Sequence, residues 1–260
     1  MTTGLGDDTP RKTVLITGAG RRIGRALAED FGAAGWRVAV HYHQSSAEAD
    51  EVVAAIAAKG GKAAAVEADL ADPGAVARLV PAAIRAVGPL GCLINNASIF
   101  ERDDIASATQ DSWDRHIAVN LRAPFFLSQA FAAQVSPGEH GSIVNVIDER
   151  VWHLTPHFAS YTVSKAGLWT LTQTLAMALA PRIRVNAVGP GPTLPSPYQS
   201  QAQFDAQCAR MPLGRGTTPA DICTAVRFIL AAPAMTGQMI ALDGGQHLGW
   251  GQAGEVRTGG

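Results

Sequence analysis

Short runs of β-branched and apolar residues alternate along the chain with Ala-rich stretches whose apolar positions recur at helical spacing. The runs predict strands over 13–17, 37–42, 63–67, 92–95, 142–147, 184–187 and 238–242. The stretches between them predict helices over 23–34, 47–59, 113–134, 161–180 and 219–231, and another that opens after Asp72-Pro73. Near-continuous apolar strands are buried on both faces, and helices between them imply parallel pairing through right-handed crossovers. The expectation is an α/β fold: one domain over residues 11–250, a doubly wound parallel sheet of about seven strands with helices on both faces. Residues 1–10 and 251–260 read as flexible tails. Such a sheet binds ligands beyond the carboxyl ends of its strands. The Pro/Gly-rich run 189–197 is the least regular part and reads as the start of a mobile lid; the pattern does not fix the conformation of 189–215.

The chain has 260 residues, 47% hydrophobic and 17% charged, which suits a compact globule. A net charge of −1 gives no broad attraction to nucleic acid or to an anionic membrane, so a small-molecule substrate is the expected partner. No apolar run approaches the roughly 20 residues that span a bilayer. Cys92, Cys208 and Cys223 have no metal-ligand spacing and no disulfide framework, which favours a reducing compartment, and a cytoplasmic location is expected with no metal.

Two segments carry chemistry. The first is Thr17-Gly18-Ala19-Gly20-Arg21-Arg22-Ile23-Gly24, between the first strand and the first helix. Glycines there let the backbone approach a phosphate, and a helix N-terminus favours negative charge. A carboxylate near the end of the second strand would select NAD. None occurs before Glu48, whereas Arg21, Arg22, Ser45 and Ser46 offer charge and donors, so the expected cofactor is NADPH. His41 and His43 read as ordinary strand residues. The second segment holds Tyr161 and Lys165, four apart on one helix face, with Asp148 upstream at a strand end. A phenol of pKa roughly 10 needs such a charge to work near neutral pH. A strand-end carboxylate can accept an N–H, relay a proton to Tyr161, or simply bond local backbone.

Thr17-Gly18…Gly24, Asn95-Asn96-Ala97, Asn120, Tyr161-x-x-x-Lys165 and Pro190-Gly191, in this order, resemble the short-chain dehydrogenase/reductase family over roughly residues 12–248. The resemblance implies a Rossmann-type sheet, a nicotinamide cofactor and usually a tetramer or dimer, of which a homotetramer is expected here. It implies that Gly18, Arg21, Arg22, Ile23, Asn96, Ala97, Pro190 and Gly191 contact the cofactor, with Asp69 and Leu70 near its adenine. It assigns Tyr161 as acid/base, Lys165 as ribose ligand and tuner of the phenol, and Asn120 as their support. Two departures point to one branch: Asp148 stands where most members carry serine, and Arg22 replaces the middle glycine of the turn. Both resemble pteridine reductases and bacterial relatives acting on dihydromonapterin and dihydrofolate. In that branch Phe100 would sandwich a pterin, Ser98 would bond phosphate and pterin, and Arg22 would reach the pterin edge or phosphate. An arginine expected after His41-Tyr42-His43 is Gln44 here, leaving Arg22, His43 and Ser45 to hold the extra phosphate. His247 could approach a neighbouring subunit's site, and Trp152, Trp169 and Trp250 read as packing residues. The expected activity is reduction of a pterin or dihydrofolate C=N bond. The alternatives are a generic carbonyl reductase of the same fold and a non-catalytic nucleotide-binding protein.

Overall fold

The computed structural model describes residues 10–249; Trp250 and both tails lie outside them. Seven parallel strands form one sheet in the order β3-β2-β1-β4-β5-β6-β7. They are β1 (Thr13–Ile16), β2 (Arg37–Tyr42), β3 (Lys62–Glu67), β4 (Cys92–Asn95), β5 (Gly141–Val146), β6 (Ile183–Pro190) and β7 (Met239–Leu242). The helices are α1 (Arg22–Ala33), α2 (Ser46–Ala58), α3 (Pro73–Val87), α4 (Gln110–Ile117), α5 (Ala123–Gln134), α6 (Ala159–Leu179), α7 (Gln201–Ala209) and α8 (Pro219–Ala231).

Strand alternation builds the two cores. Val14 and Ile16 of β1 pack with α1, α2 and α8, while Leu15 between them packs with α3 and α5 on the other face. The central strands are buried on both sides, as the apolar runs required. The order reverses at β1 and β4, so the loops leaving these two strands diverge and open a crevice between them. Thr17 staples that switch point: its hydroxyl accepts from the N–H groups of Asn96 (2.9 Å) and Ala97 (3.0 Å).

Two stretches differ from the pattern-based expectation. The long helical region over 113–134 consists of α4 and α5 joined by a π-helical turn, Ala118–Arg122, centred on Asn120. The irregular 189–215 region contains α7, begun by a capping box of Ser200 and Gln203. Among the described residues no helix is long and apolar enough to cross a membrane.

Candidate active site

One cleft of about 470 Å³ opens at the carboxyl edge of the sheet. The glycine turn supplies one wall with Gly18, Arg21, Arg22 and Ile23, and the β4 loop another with Asn96, Ala97, Ser98 and Phe100. Asp148, Tyr161 and Lys165 close the far end, and Pro190 and Gly191 lie opposite. Five of the expected residues lie outside this lining. His43 and Asp69 face each other at 3.8 Å near the ends of β2 and β3. Ser45 is the residue before α2, and a side chain on Gly20 would meet its Oγ at 3.2 Å. The Leu70 side chain is buried in the core. Asn120 also stands behind the cleft. Its amide accepts from Ile99 N–H at 2.8 Å and donates to Ile99 C=O at 2.9 Å, clamping the loop between Ser98 and Phe100. A third bond, to Ser164 Oγ at 3.0 Å, ties that clamp to α6.

The glycine turn is set by close approach. Gly18 has φ +63°, and a side chain on Gly24 would meet Gly18 C=O at 2.1 Å. Asn96 bridges the turn through its amide nitrogen to Thr17 C=O at 2.8 Å. His41 does more than fill β2: its Nδ1 accepts from Gly18 N–H at 2.9 Å, so Nε2 carries the proton and donates to Ala68 C=O at 3.0 Å. Burial lowers its pKa to about 4, which keeps this bridge neutral. Strand periodicity gives no sign of a contact that spans two loops.

Arg21 pairs with Glu48, the first carboxylate after β2, so that acid is neutralised at the turn. Arg22 opens α1 at φ +53°, the left-handed region that explains why glycine is usual there. Its guanidinium donates to Pro195 C=O (2.9 Å) and Leu194 C=O (3.2 Å), latching the 189–197 segment across the cleft. In the structure Arg22 thus ties the 189–197 segment to the glycine turn, in addition to lining the cleft where phosphate and substrate were expected.

At the catalytic end, Tyr161 donates to Asp148 Oδ2 at 2.7 Å. Asp148 Oδ1 accepts from Arg150 N–H at 2.9 Å, so the carboxylate also caps the short 3-10 turn Glu149–Val151. Burial, then the charge and hydrogen bond of Asp148, hold the Tyr161 phenol well above its ordinary pKa. The charge of Arg150 opposes this rise. Lys165 turns away, donating to Val146 C=O at 2.8 Å, with Nζ 5.8 Å from the Tyr161 ring centroid. Burial lowers Lys165 to about 8, against the pull of Asp148. In this arrangement the Lys165 ammonium bonds the Val146 carbonyl, while the phenol hydroxyl bonds Asp148.

Several site residues had no sequence signal. Glu149 is buried (3% exposed) beside Asp148 and Asp243, and burial followed by those two charges raises its pKa to about 8. Asp243 accepts from His247 Nδ1 at 2.6 Å and from His247 N–H at 2.7 Å, tethering His247 within its own chain. Trp152 lies between His247 (5.3 Å) and Trp169 (6.4 Å). A buried cluster of Asp103, His116 and Ser160 lies beneath Tyr161. Among the described residues no group of His, Cys, Asp or Glu has the arrangement of a metal site.

The chain is similar to known proteins over nearly its whole length. The family model described as enoyl-(acyl carrier protein) reductase matches residues 18–247. The crystal structure of FolM alternative dihydrofolate reductase 1 from Brucella canis, complexed with NADP, superposes with a TM-score of 0.90 at 45% identity, covering 94% of this chain and 97% of that one. The angucycline C-6 ketoreductase LanV with bound NADP superposes at 0.85 with 33% identity over 94% and 98%. The 3-oxoacyl-[acyl-carrier-protein] reductase of Synechocystis sp. is 33% identical over 90% of this chain and 96% of its own.

Proposed function

The chain belongs to the short-chain dehydrogenase/reductase family and is an NADP-dependent oxidoreductase, and from that premise we propose that it reduces the C=N bond of a pterin, dihydropterin or dihydrofolate. The reading rests on the carboxylate at the head of the cleft, where Asp148 Oδ2 lies 2.7 Å from the Tyr161 hydroxyl. Reduction of a ketone builds negative charge on the oxygen that Tyr161 protonates, and an adjacent carboxylate opposes that charge. Reduction of C=N builds no oxyanion. The carbon takes hydride, the nitrogen takes a proton, and ring N–H and amino groups are natural donors to Asp148. The 45% identity to the Brucella canis dihydrofolate reductase supports the same choice.

The glycine turn fits a dinucleotide. Helix α1 begins without a side-chain cap and without an acidic residue in its first turn, so its N–H groups are open to an anion. Gly18, Arg21, Arg22 and Ile23 would hold the pyrophosphate; His43 and Ser45, with Arg22, the 2′-phosphate; Asp69 and Leu70 the adenine. Asn96, Ala97, Pro190, Gly191 and Lys165 would hold the nicotinamide riboside end. When bound, NADPH supplies the hydride.

The protein supplies the rest. Tyr161 keeps its proton because burial and then Asp148 disfavour the phenolate, which makes it a donor in the reductive direction. Arg150 and the Lys165 ammonium are the positive charges that stabilise the phenolate once the proton has moved. Asp148 orients the substrate by accepting its N–H groups, Ser98 and Arg22 meet its edge, and Phe100 covers its face. Asn120 positions the loop that carries Ser98 and Phe100.

A second reading, reduction of an oxoacyl or keto substrate, is favoured by the likeness to the Synechocystis reductase and to LanV. Nicotinamide absorbance with NADPH and dihydrobiopterin, dihydrofolate or a panel of ketones separates the two. Turnover of the first two is expected; turnover of ketones alone overturns the pterin reading. Asp148→Ser should lower pterin turnover about 10- to 100-fold, and undiminished turnover would remove the role given to this carboxylate. The same reading makes the enzyme a cytoplasmic homotetramer. Trp113, Phe125, Phe126 and Met177 are exposed on α4, α5 and α6 and offer an apolar surface to a second copy. A monomeric mass by light scattering would overturn that part.

A further inference from the structure

Phe158, just before α6, has a backbone that a bulky residue adopts only under constraint: φ +59°, ψ +49°. The constraint comes from Asp103, on the loop after β4. Asp103 C=O accepts from Phe158 N–H at 2.6 Å. Its carboxylate, 3% exposed, accepts from Ser160 N–H at 3.2 Å, from Ser112 Oγ at 3.0 Å and from Ser160 Oγ. His116, fully buried on α4, completes the cluster. Its Nδ1 lies 2.7 Å from Ser112 C=O and 2.8 Å from Ser160 Oγ, and its Nε2 accepts from Glu101 N–H at 3.2 Å. Burial of Asp103 raises its pKa, but the hydrogen bonds from Ser160 and Ser112 outweigh that and leave it lowered, so the cluster is anchored on a carboxylate. These bonds join the segment carrying Phe100 and Glu101 to the segment carrying Phe158, Ser160 and Tyr161.

The side chains make the same connection. The Phe158 ring stacks on Phe100 with centroids 4.4 Å apart and planes 9° from parallel. Phe100 in turn meets Tyr161 at 4.8 Å, near a right angle. Phe100 lines the cleft and Phe158 does not, so Phe158 lies behind the ring that faces the ligand. The Arg150 guanidinium is 5.3 Å from the Phe158 ring centroid. A lone phenylalanine on a loop rotates about χ1 and χ2; one backed by a parallel ring has its plane fixed before the ligand arrives.

We propose that Phe158, held in its left-handed turn by Asp103 and Ser160, is a positioning residue that fixes the plane of Phe100 for stacking on a planar heterocyclic substrate. The inference rests on the pterin reading and deepens it. Binding of a flat bicyclic ring would depend on Phe158 although the two do not touch, whereas proton transfer from Tyr161 would not.

The test is steady-state kinetics of Phe158→Leu and Phe158→Tyr with dihydrobiopterin, beside NADPH binding followed by fluorescence. Leu keeps the bulk and loses the parallel ring, and KM for dihydrobiopterin should rise about three- to tenfold. The expected kcat stays within about twofold, since Tyr161 is unchanged, and Phe158→Tyr should restore KM. Ser160→Ala removes one hydroxyl of the clamp and should raise KM in the same sense by a smaller factor. An unmodified protein that reduces no pterin sinks the substrate reading and this inference with it. Turnover by the unmodified protein with an unchanged KM in Phe158→Leu overturns this inference alone. So does an equal loss in kcat and in NADPH affinity, which would mark general damage.

Discussion

Tyr161 and Lys165, at one end of the cleft, are 5% and 2% exposed, and their polar atoms are engaged by Asp148 and the Val146 carbonyl. At the other end the Arg21 side chain is 62% exposed and its partner Glu48 34%. The buried end lies in a low dielectric, where a group that loses its partner suffers the full cost of desolvation. The open end is bathed in water and salt, where an ion pair contributes little and its members are free to exchange partners. A fixed end suits bond-making, which depends on sub-ångström placement. An adaptable end suits capture of a charged ligand, which has to displace existing pairs. Substitutions at the two ends should therefore differ in which constant moves, as well as by how much.

Removal of the phenol hydroxyl should have the largest effect. Tyr161→Phe should lower kcat about 10²- to 10⁴-fold, with NADPH affinity close to that of the unmodified protein. Rapid-mixing kinetics and a fluorescence titration would read the two separately. A variant that lost affinity and kept turnover would break the contrast between the ends.

The pH profile should sharpen it. Burial brings Lys165 down to about 8, and burial together with Asp148 and Asp243 brings Glu149 up to about 8. Raising the pH through this value discharges the one and charges the other, so positive charge beside Tyr161 is lost and negative charge gained. Turnover should fall above about pH 8. Stability has its own sign. A carboxyl with a raised folded pKa binds more protons folded than unfolded, so stability falls as pH climbs from the ordinary carboxylate range to about 8. Glu149→Gln removes that term: its thermal midpoint should be flatter across the window, while the Lys165 limb in turnover persists. Identical profiles for the two proteins would show that Glu149 does not titrate in this range.

The open end should respond in affinity. Arg21→Ala should weaken NADPH binding about three- to tenfold and leave kcat within about twofold. The difference should shrink as salt is raised, because exposed charges are screened over roughly 10 Å at 0.1 M ionic strength. A salt-independent effect would mean that Arg21 acts from a desolvated position.

Much of this contrast can be traced to what a sequence displays. The sheet was legible because each strand is a compact apolar run and some turns end in a capping residue, such as Asp72 before α3. Tyr161, Lys165 and the glycine turn were legible because helix spacing and strand–turn–helix context are local. What escaped was long-range. Asp103 and His116 meet Ser160 across 57 and 44 residues, and His41 reaches Gly18 across 23. Glu149 carries no local sign of its burial, which depends on what folds over the strand end; here Asp148 and Asp243 lie beside it. α7 carries a capping box, but its residues have no apolar face to give it periodicity; none of them is buried.

Arg22 belongs to the open end by position and to neither by behaviour, and it provides the smallest and most discriminating test. Its φ of +53° costs about 1–2 kcal/mol for a residue with a side chain. Against this stand its two hydrogen bonds to the Leu194 and Pro195 carbonyls, worth about 0.5–1.5 kcal/mol each when buried and less at an exposed site. Arg22→Gly relieves the strain and releases the latch, and the two changes nearly cancel. The thermal midpoint should move by no more than about 2–4 °C. The lid over 189–197 would lose its tie to the glycine turn, so substrate KM should rise while the midpoint hardly moves. A midpoint shift well beyond this range, in either direction, would mean that strain or latch dominates alone. An unchanged KM would mean that the two carbonyl contacts hold nothing that the substrate meets.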